Sequence, residues 1–431
     1  MEWIDLFVLA GTFFSFLLIG VPVGYSLGLS TALAMLLSIL PGPAVTVVAQ
    51  RMATGLDSFA LLAIPFFVLA GQLMNRGGMA RRLIALAQGL IGRLPGGLAH
   101  VNVFAAMLFG AISGSAVAAA TAVGGTLGPA MAREGYDADY AAAVNITSST
   151  TGLVIPPSNI LIIYSLASGG VSIAALFLAG YVPGILVGVL LMVVAGIIAL
   201  RRGYPRAERA SLSALARLTV SALPSLFLLV VVMGGIVGGV FTATEAAAVA
   251  VLYALVLSFV YRELAVSDLG KVLLDSAATT AVVMLLIATS LAMSWILAYA
   301  QIPQTVTAAL LELTDSPVAI LLLINFVLLV VGTFMDMTPA VLIFTPIFLP
   351  IAVDLGMDPV HFGIVMVLNL CIGLCTPPVG AILFVGVGVA GTTIERVIRP
   401  LLPLFFAMLV ALLLVTFIPA LSLWLPHLFG Y

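Results

Sequence analysis

Two prolines stand side by side at Pro156-Pro157, inside an apolar run that is otherwise helical over about 138–168. Proline removes a backbone donor and clashes with the preceding turn, so a helix must break there. In hydrocarbon an interrupted backbone survives only where protein or a water-filled cavity surrounds it. The same device returns at Pro377-Pro378, within Gly373-Leu-Cys-Thr-Pro-Pro-Val-Gly380. Two breaks in corresponding places point to a binding site near the bilayer midplane.

The rest of the chain is that of an all-α polytopic membrane protein. Charged residues are 7% and hydrophobic residues 63% of 431, against about 25% charged in an average soluble protein. Runs long enough to cross about 30 Å of hydrocarbon fall near 4–20, 24–40, 58–75, 138–168, 173–200, 219–240, 244–261, 275–300, 361–390 and 401–425. Two apolar regions, 99–131 and 317–353, are interrupted by Gly, Ser and Pro. Each is expected to enter and leave on one side as a re-entrant hairpin. The stretches before them, 78–95 and 302–315, are patterned as amphipathic interfacial helices.

The charges set the orientation. With the N-terminus outside, ten crossings and two hairpins, all of the 15 Lys and Arg residues except Arg51 lie in the cytoplasm. That is the bias a membrane protein shows, and the chain is expected to be N-out and C-out. Residues 129–173 also align without a gap on 350–394: Pro129 on Pro350, Asp137 on Asp358, Gly152 on Gly373. The expected organisation is an N-terminal span (1–22) and a first repeat (23–200), then a cytoplasmic linker (201–218) and a second repeat (219–431). An odd number of crossings per repeat makes the second upside-down relative to the first.

Interrupted backbone supplies oxygens, which hard cations such as Na⁺ prefer. One cation site is expected from Ser113 and Ser115 with the backbone of Gly152, Ile155 and Pro157. Its symmetric counterpart uses Gly332, Gly373, Thr376 and Val379. Half-helix N-termini after each proline pair carry partial positive charge and suit an anionic substrate. Ser158, Asn159, Thr333, Asp336 and Thr338 are the candidate substrate contacts. Asn159 and Asp336 are equally placed to cap helices, and Glu245, Asp137 and Asp358 are read as caps. Cys371 and Cys375 are read as small packing residues. No Walker motif, GxSxG or HExxH occurs; the chain is not expected to be an enzyme, and its energy would come from an ion gradient.

Nine segments in order carry a family resemblance. Among them are Leu98-Ala-His-Val-Asn-Val103, Ser113-Gly-Ser-Ala-Val117, Ile155-Pro-Pro-Ser158, Phe241-Thr-Ala-Thr-Glu-Ala-Ala-Ala248, Asp358-Pro-Val-His-Phe-Gly363 and Thr376-Pro-Pro-Val-Gly380. Together they resemble the large membrane subunit of tripartite ATP-independent periplasmic (TRAP) transporters. Two positions depart: Ala119 stands where the family often has an acid, and Thr244 where it often has proline. The resemblance implies Na⁺-coupled import of a small organic acid (a dicarboxylate, sialic acid or sugar acid) across the bacterial inner membrane. It implies delivery by a periplasmic binding protein, a separate small four-helix membrane subunit, and an elevator motion of hairpins and broken helices. No nucleic-acid partner is expected. A stand-alone sodium-coupled dicarboxylate carrier is the alternative that the repeat alone leaves open.

Overall fold

The computed structural model describes residues 2–38, 40–205, 211–314, 316–377 and 379–431. Arg206 and Arg209 of the linker, and Pro378, lie outside them. Among the described residues every regular element is helical.

The first part of the chain runs α1 (Glu2–Leu18), α2 (Val23–Ser38), α3 (Pro41–Gly55), α4 (Ala63–Arg76) and α5 (Met79–Ile91). It continues through α6 (Gly97–Ser113), α7 (Ala116–Arg133), α8 (Ala138–Ser149), α9 (Thr151–Val154), α10 (Asn159–Ala167) and α11 (Ile173–Arg202). The second part runs α12 (Leu212–Val237), α13 (Ala243–Val260), α14 (Leu269–Tyr299), α15 (Ile302–Leu313) and α16 (Pro317–Phe334). Then follow α17 (Met337–Asp354), α18 (Pro359–Gly373), α19 (Ala381–Ala390), α20 (Ile394–Phe417) and α21 (Ala420–Leu428).

Local chemistry sets many of these boundaries. Ser115 caps α7 by accepting from Ala118 N at 3.2 Å, and Asp137 caps α8 by accepting from Asp139 N at 2.8 Å. Asp358 accepts from Val360 N at 2.7 Å and from His361 N at 3.2 Å. Thr242 and Glu245 form a reciprocal capping box at the start of α13, Thr242 N donating to Glu245 at 2.8 Å. Each such cap is worth about 1 kcal/mol. Gly114 turns α6 into α7 at φ +61, a left-handed conformation open to glycine at little cost.

Eight helices among the described residues are long and apolar enough to cross a bilayer, and nine if the bent unit α8–α10, kinked by 52°, counts once. The ten crossings expected from sequence are therefore not reproduced by length alone. Helix α18 has 15 residues and α19 has 10. At 1.5 Å per residue each falls short of about 30 Å, so only the two together would reach across. Both arms of the second hairpin, α16 and α17, have 18 residues, as long as some of the full spans. Helix α3, which the apolar runs did not anticipate, packs on α2 and α14.

The packing repeats. Helix α6 lies on α9 as α16 lies on α18. Helix α7 packs on α19 of the other half, and α17 packs on α10. Likewise α13 packs on α4 as α2 packs on α14. Glycines allow the closest of these approaches: Gly110 meets Gly152 between α6 and α9, and Gly332 meets Gly373 between α16 and α18. Each helix pair, α6–α7 and α16–α17, thus packs on the interrupted helix of its own part and on one limb of the other's.

Candidate functional site

Both breaks are held open by their own hydrogen bonds. In the first, α9 ends and Ile155 is extended (φ −77, ψ 122). The Ser158 hydroxyl donates across the gap to Leu153 O at 2.6 Å, which satisfies a carbonyl that the broken helix leaves without an amide. In the second, Thr376 N donates to Gly373 O at 2.9 Å, and the Thr376 hydroxyl donates to Ile372 O at 2.7 Å. Gly380 N then donates to Thr333 O at 2.9 Å, tying this break to the end of α16. A Cβ on Gly380 would lie 2.8 Å from the carbonyls of both Leu374 and Thr376. Three carbonyl oxygens therefore converge around one residue that has no side chain.

The hairpin turns and the breaks share one cavity of about 260 Å³. Ser113, Gly114 and Ser115 line it from the α6–α7 turn, and Asp336, Met337 and Thr338 from the α16–α17 turn. Leu153 and Asn159 reach it from the first break, Leu374 and Ile382 from the second. Gln72 and Asn75 of α4 and Thr279 of α14 complete its polar lining. Asp336 is the single carboxylate among the residues that line it, and none of them is basic.

Of the residues singled out from sequence, Ser113, Ser115, Asn159, Asp336 and Thr338 come together on this cavity. Asn159 is the first residue of α10, with Ser158 in the N-cap position, so it is not the cap. Its Oδ1 is buried and has no hydrogen-bond partner among the described residues. Ser158 is fully buried and engaged with Leu153, away from the cavity wall. Gly152, Gly332 and Gly373 sit behind the turns in the glycine contacts. The Pro157 carbonyl faces the α6–α7 turn, 3.6 Å from where Gly114 would carry a Cβ. Ile155 stands in the extended segment of the first break. Thr333, near the end of α16, accepts from Gly380 N, and Thr376 and Val379 belong to the irregular segment around Gly380.

Gln72 and Asn75 were not anticipated. A signal was present: two amides three residues apart in an apolar run share one helix face. What brings that face to the cavity is Gly71, where a Cβ would lie 2.9 Å from Ser113 O.

A helical bundle that gathers two interrupted helices and two helix–turn–helix tips around one cavity, apolar but carrying a few polar side chains, has the build of a membrane transport protein. The family model described as "Tripartite ATP-independent periplasmic transporter, DctM component" matches residues 10–421. The chain belongs to that family, the large membrane components of TRAP transporters. It is 55% identical over 423 residues to "Uncharacterized protein YgiK" of Salmonella typhimurium, covering 98% of this chain and 97% of that one. It is 45% identical over 406 residues to the "C4-dicarboxylate TRAP transporter large permease protein DctM" of Pseudomonas aeruginosa, covering 94% of each. It is 42% identical over 426 residues to the "Isethionate TRAP transporter permease protein DctMQ" of Oleidesulfovibrio alaskensis, covering 98% of this chain and 67% of that protein. The crystal structure of the Alcanivorax borkumensis YdaH transporter superposes with a TM-score of 0.64 at 17% identity, over 88% of this chain and 89% of that one. That likeness is one of fold.

Proposed function

We infer that the chain is the large permease subunit of a tripartite, sodium-coupled importer of a small organic acid in the bacterial inner membrane. The observation that carries this is the charge of the cavity: one carboxylate, no basic side chain, and a surround of hydroxyls, amides and interrupted backbone. An organic anion entering beside Asp336 meets repulsion unless cations enter too. Half-helix N-termini supply part of the balance, and bound Na⁺ supplies the rest.

One Na⁺ is assigned to Ser113, Ser115 and the backbone of Gly152, Ile155 and Pro157. A second is assigned to Gly332, Gly373, Thr376 and Val379, where carbonyls already converge on Gly380. Hydroxyls that donate, as Thr376 does, keep lone pairs free for a cation. The substrate is assigned to Asn159, Asp336, Thr338 and the neighbouring Thr333, with Ser158 holding the first break open behind them. The two repeats are inverted, N-out and C-out, with α6–α7 and α16–α17 re-entrant from opposite sides. Turns and broken helices then carry the cavity across as an elevator against α1–α2 and α12–α13. A periplasmic binding protein delivers the acid and a separate small subunit packs on the outer helices; the relative named DctMQ, of which this chain spans 67%, is in keeping with a fused arrangement there.

Proteoliposomes holding this chain, its small subunit and its binding protein are expected to take up a labelled organic acid only under an inward Na⁺ gradient. Uptake with K⁺ alone would refute the coupling. Equal uptake without the binding protein would favour a stand-alone carrier.

A further inference from the structure

A second cavity, about 480 Å³, opens where α8, α11 and α20 meet. It is lined by four arginines, Arg201, Arg202, Arg396 and Arg399, against two aspartates, Asp137 and Asp139. Both aspartates are already engaged. Asp137 pairs with Arg202 at 3.2 Å, and Asp139 pairs with Arg396 at 3.2 Å while accepting from the Thr392 hydroxyl. Arg201 and Arg399 make no ion pair among the described residues, and both are exposed. The cavity therefore keeps two uncompensated positive charges beside a floor that is already neutral.

Its position restricts what fills it. Ile198, Pro400 and Pro403 form the apolar part of the lining. The helices that carry them expose Ile197, Leu200, Leu402 and Phe406 on their outer faces. Charge at one level and apolar helix surface directly beyond it match an amphiphile with an anionic head. A soluble anion would use the charge alone and leave that apolar surface without a role.

We propose that this cavity holds the phosphate headgroup of an anionic inner-leaflet phospholipid, with Arg201 and Arg399 on the phosphate and the acyl chains along α11 and α20. Basic clusters just inside the cytoplasmic edge attract such lipids, and guanidinium forks suit phosphate oxygens. The lipid would bridge α11 of the first part and α20 of the second and brace the start of α8, which leads through α9 to the first break. The inference rests on the orientation proposed above, in which the arginine-rich ends face the cytoplasm.

The test measures binding of dioctanoyl phosphatidylglycerol to the purified full chain, with dioctanoyl phosphatidylcholine and glycerol 3-phosphate as comparison ligands. Phosphatidylglycerol is expected to bind at least tenfold more tightly than either. The double variant R201Q/R399Q, which breaks no observed ion pair, should lose that preference, and R201K/R399K should keep most of it. If the double variant does not fold, R201Q and R399Q are measured singly, and each should lose part of the preference. Wild-type binding by the glutamine variants would overturn the proposal, as would equal affinity for phosphatidylcholine. Glycerol 3-phosphate binding as tightly as the lipid would overturn it in favour of a soluble anion. Sodium-driven uptake is measured in proteoliposomes that hold the same wild-type and variant chains together with the small subunit and the binding protein. Lost lipid preference with uptake intact supports this inference, whereas absent uptake in wild type with lipid preference intact counts against the transport reading alone.

Discussion

Gly110 and Gly152 meet backbone to backbone: a Cβ on Gly152 would lie 2.2 Å from Gly110 Cα, and one on Gly110 would lie 2.4 Å from Gly152 Cα. The second half repeats the contact, with a Cβ on Gly373 falling 2.6 Å from Gly332 Cα. The obstacle in each case is main chain, which cannot swing aside as a side chain does. The contact thus fixes how deep each hairpin turn sits against the break behind it.

Gly152→Ala should accordingly displace the α6–α7 turn and abolish uptake, at a stability cost of about 1–3 kcal/mol, the usual range for overpacking. Gly125→Ala in α7, where a Cβ meets nothing within 4 Å, should be neutral or stabilising by up to about 1 kcal/mol. Thermal melts and uptake assays on the two variants make the comparison. A Gly152→Ala protein with full activity would show that the glycine contact does not position the turn.

Asp336→Asn keeps the shape of the cavity wall and removes its one carboxylate. The half-saturating Na⁺ concentration should rise by roughly tenfold, the equivalent of about 1.4 kcal/mol of lost attraction. A sodium titration of uptake at fixed substrate reads this directly, and an unchanged midpoint would take Asp336 out of the cation balance.

Ser158→Ala separates a structural hydroxyl from a binding one. It strands the Leu153 carbonyl in a buried break, which should cost about 1–3 kcal/mol. The sodium midpoint should stay at its wild-type value in the fraction that folds. A large shift in that midpoint with no loss of thermal stability would return Ser158 to the binding site.

Thr376→Ala should do the reverse. Its hydroxyl bonds a carbonyl in its own helix turn, so folding loses only about 1 kcal/mol, while sodium dependence weakens more. Thr376→Ser should restore it. Parallel melts and sodium titrations decide, and a wild-type sodium midpoint in Thr376→Ala would place the second cation elsewhere.

The signals that could be read in advance were the short-range ones. The interruptions in the apolar regions 99–131 and 317–353 coincide with helix–turn–helix pairs, α6–α7 over 97–133 and α16–α17 over 317–354, because Gly, Ser and Pro punctuate locally. The Thr242–Glu245 capping box and the Asp137 and Asp358 caps are decided within four residues. Helix α3 was missed because its residues, Pro41 to Gly55, mix polar and apolar types and are held by packing on α2 and α14. Gln72 and Asn75 join the cavity through the approach of α4 to the Ser113 carbonyl, a contact between residues about forty apart. Nor does the Pro377 segment announce its tie from Gly380 to Thr333: two breaks spelled alike are fastened differently.

The interlocked contacts of α7 with α19 and of α17 with α10 bear on how the chain is made. Helix α7 is complete by Arg133, but its partner begins only at Ala381, about 250 residues later. At roughly 5–20 residues per second of synthesis, the first hairpin waits from about ten seconds to a minute in the insertion machinery or the lipid before its neighbour arrives. Its small, glycine-rich surface must stay uncommitted through that interval, so the maturation of this protein depends on what shelters an unpaired hairpin until the ribosome finishes.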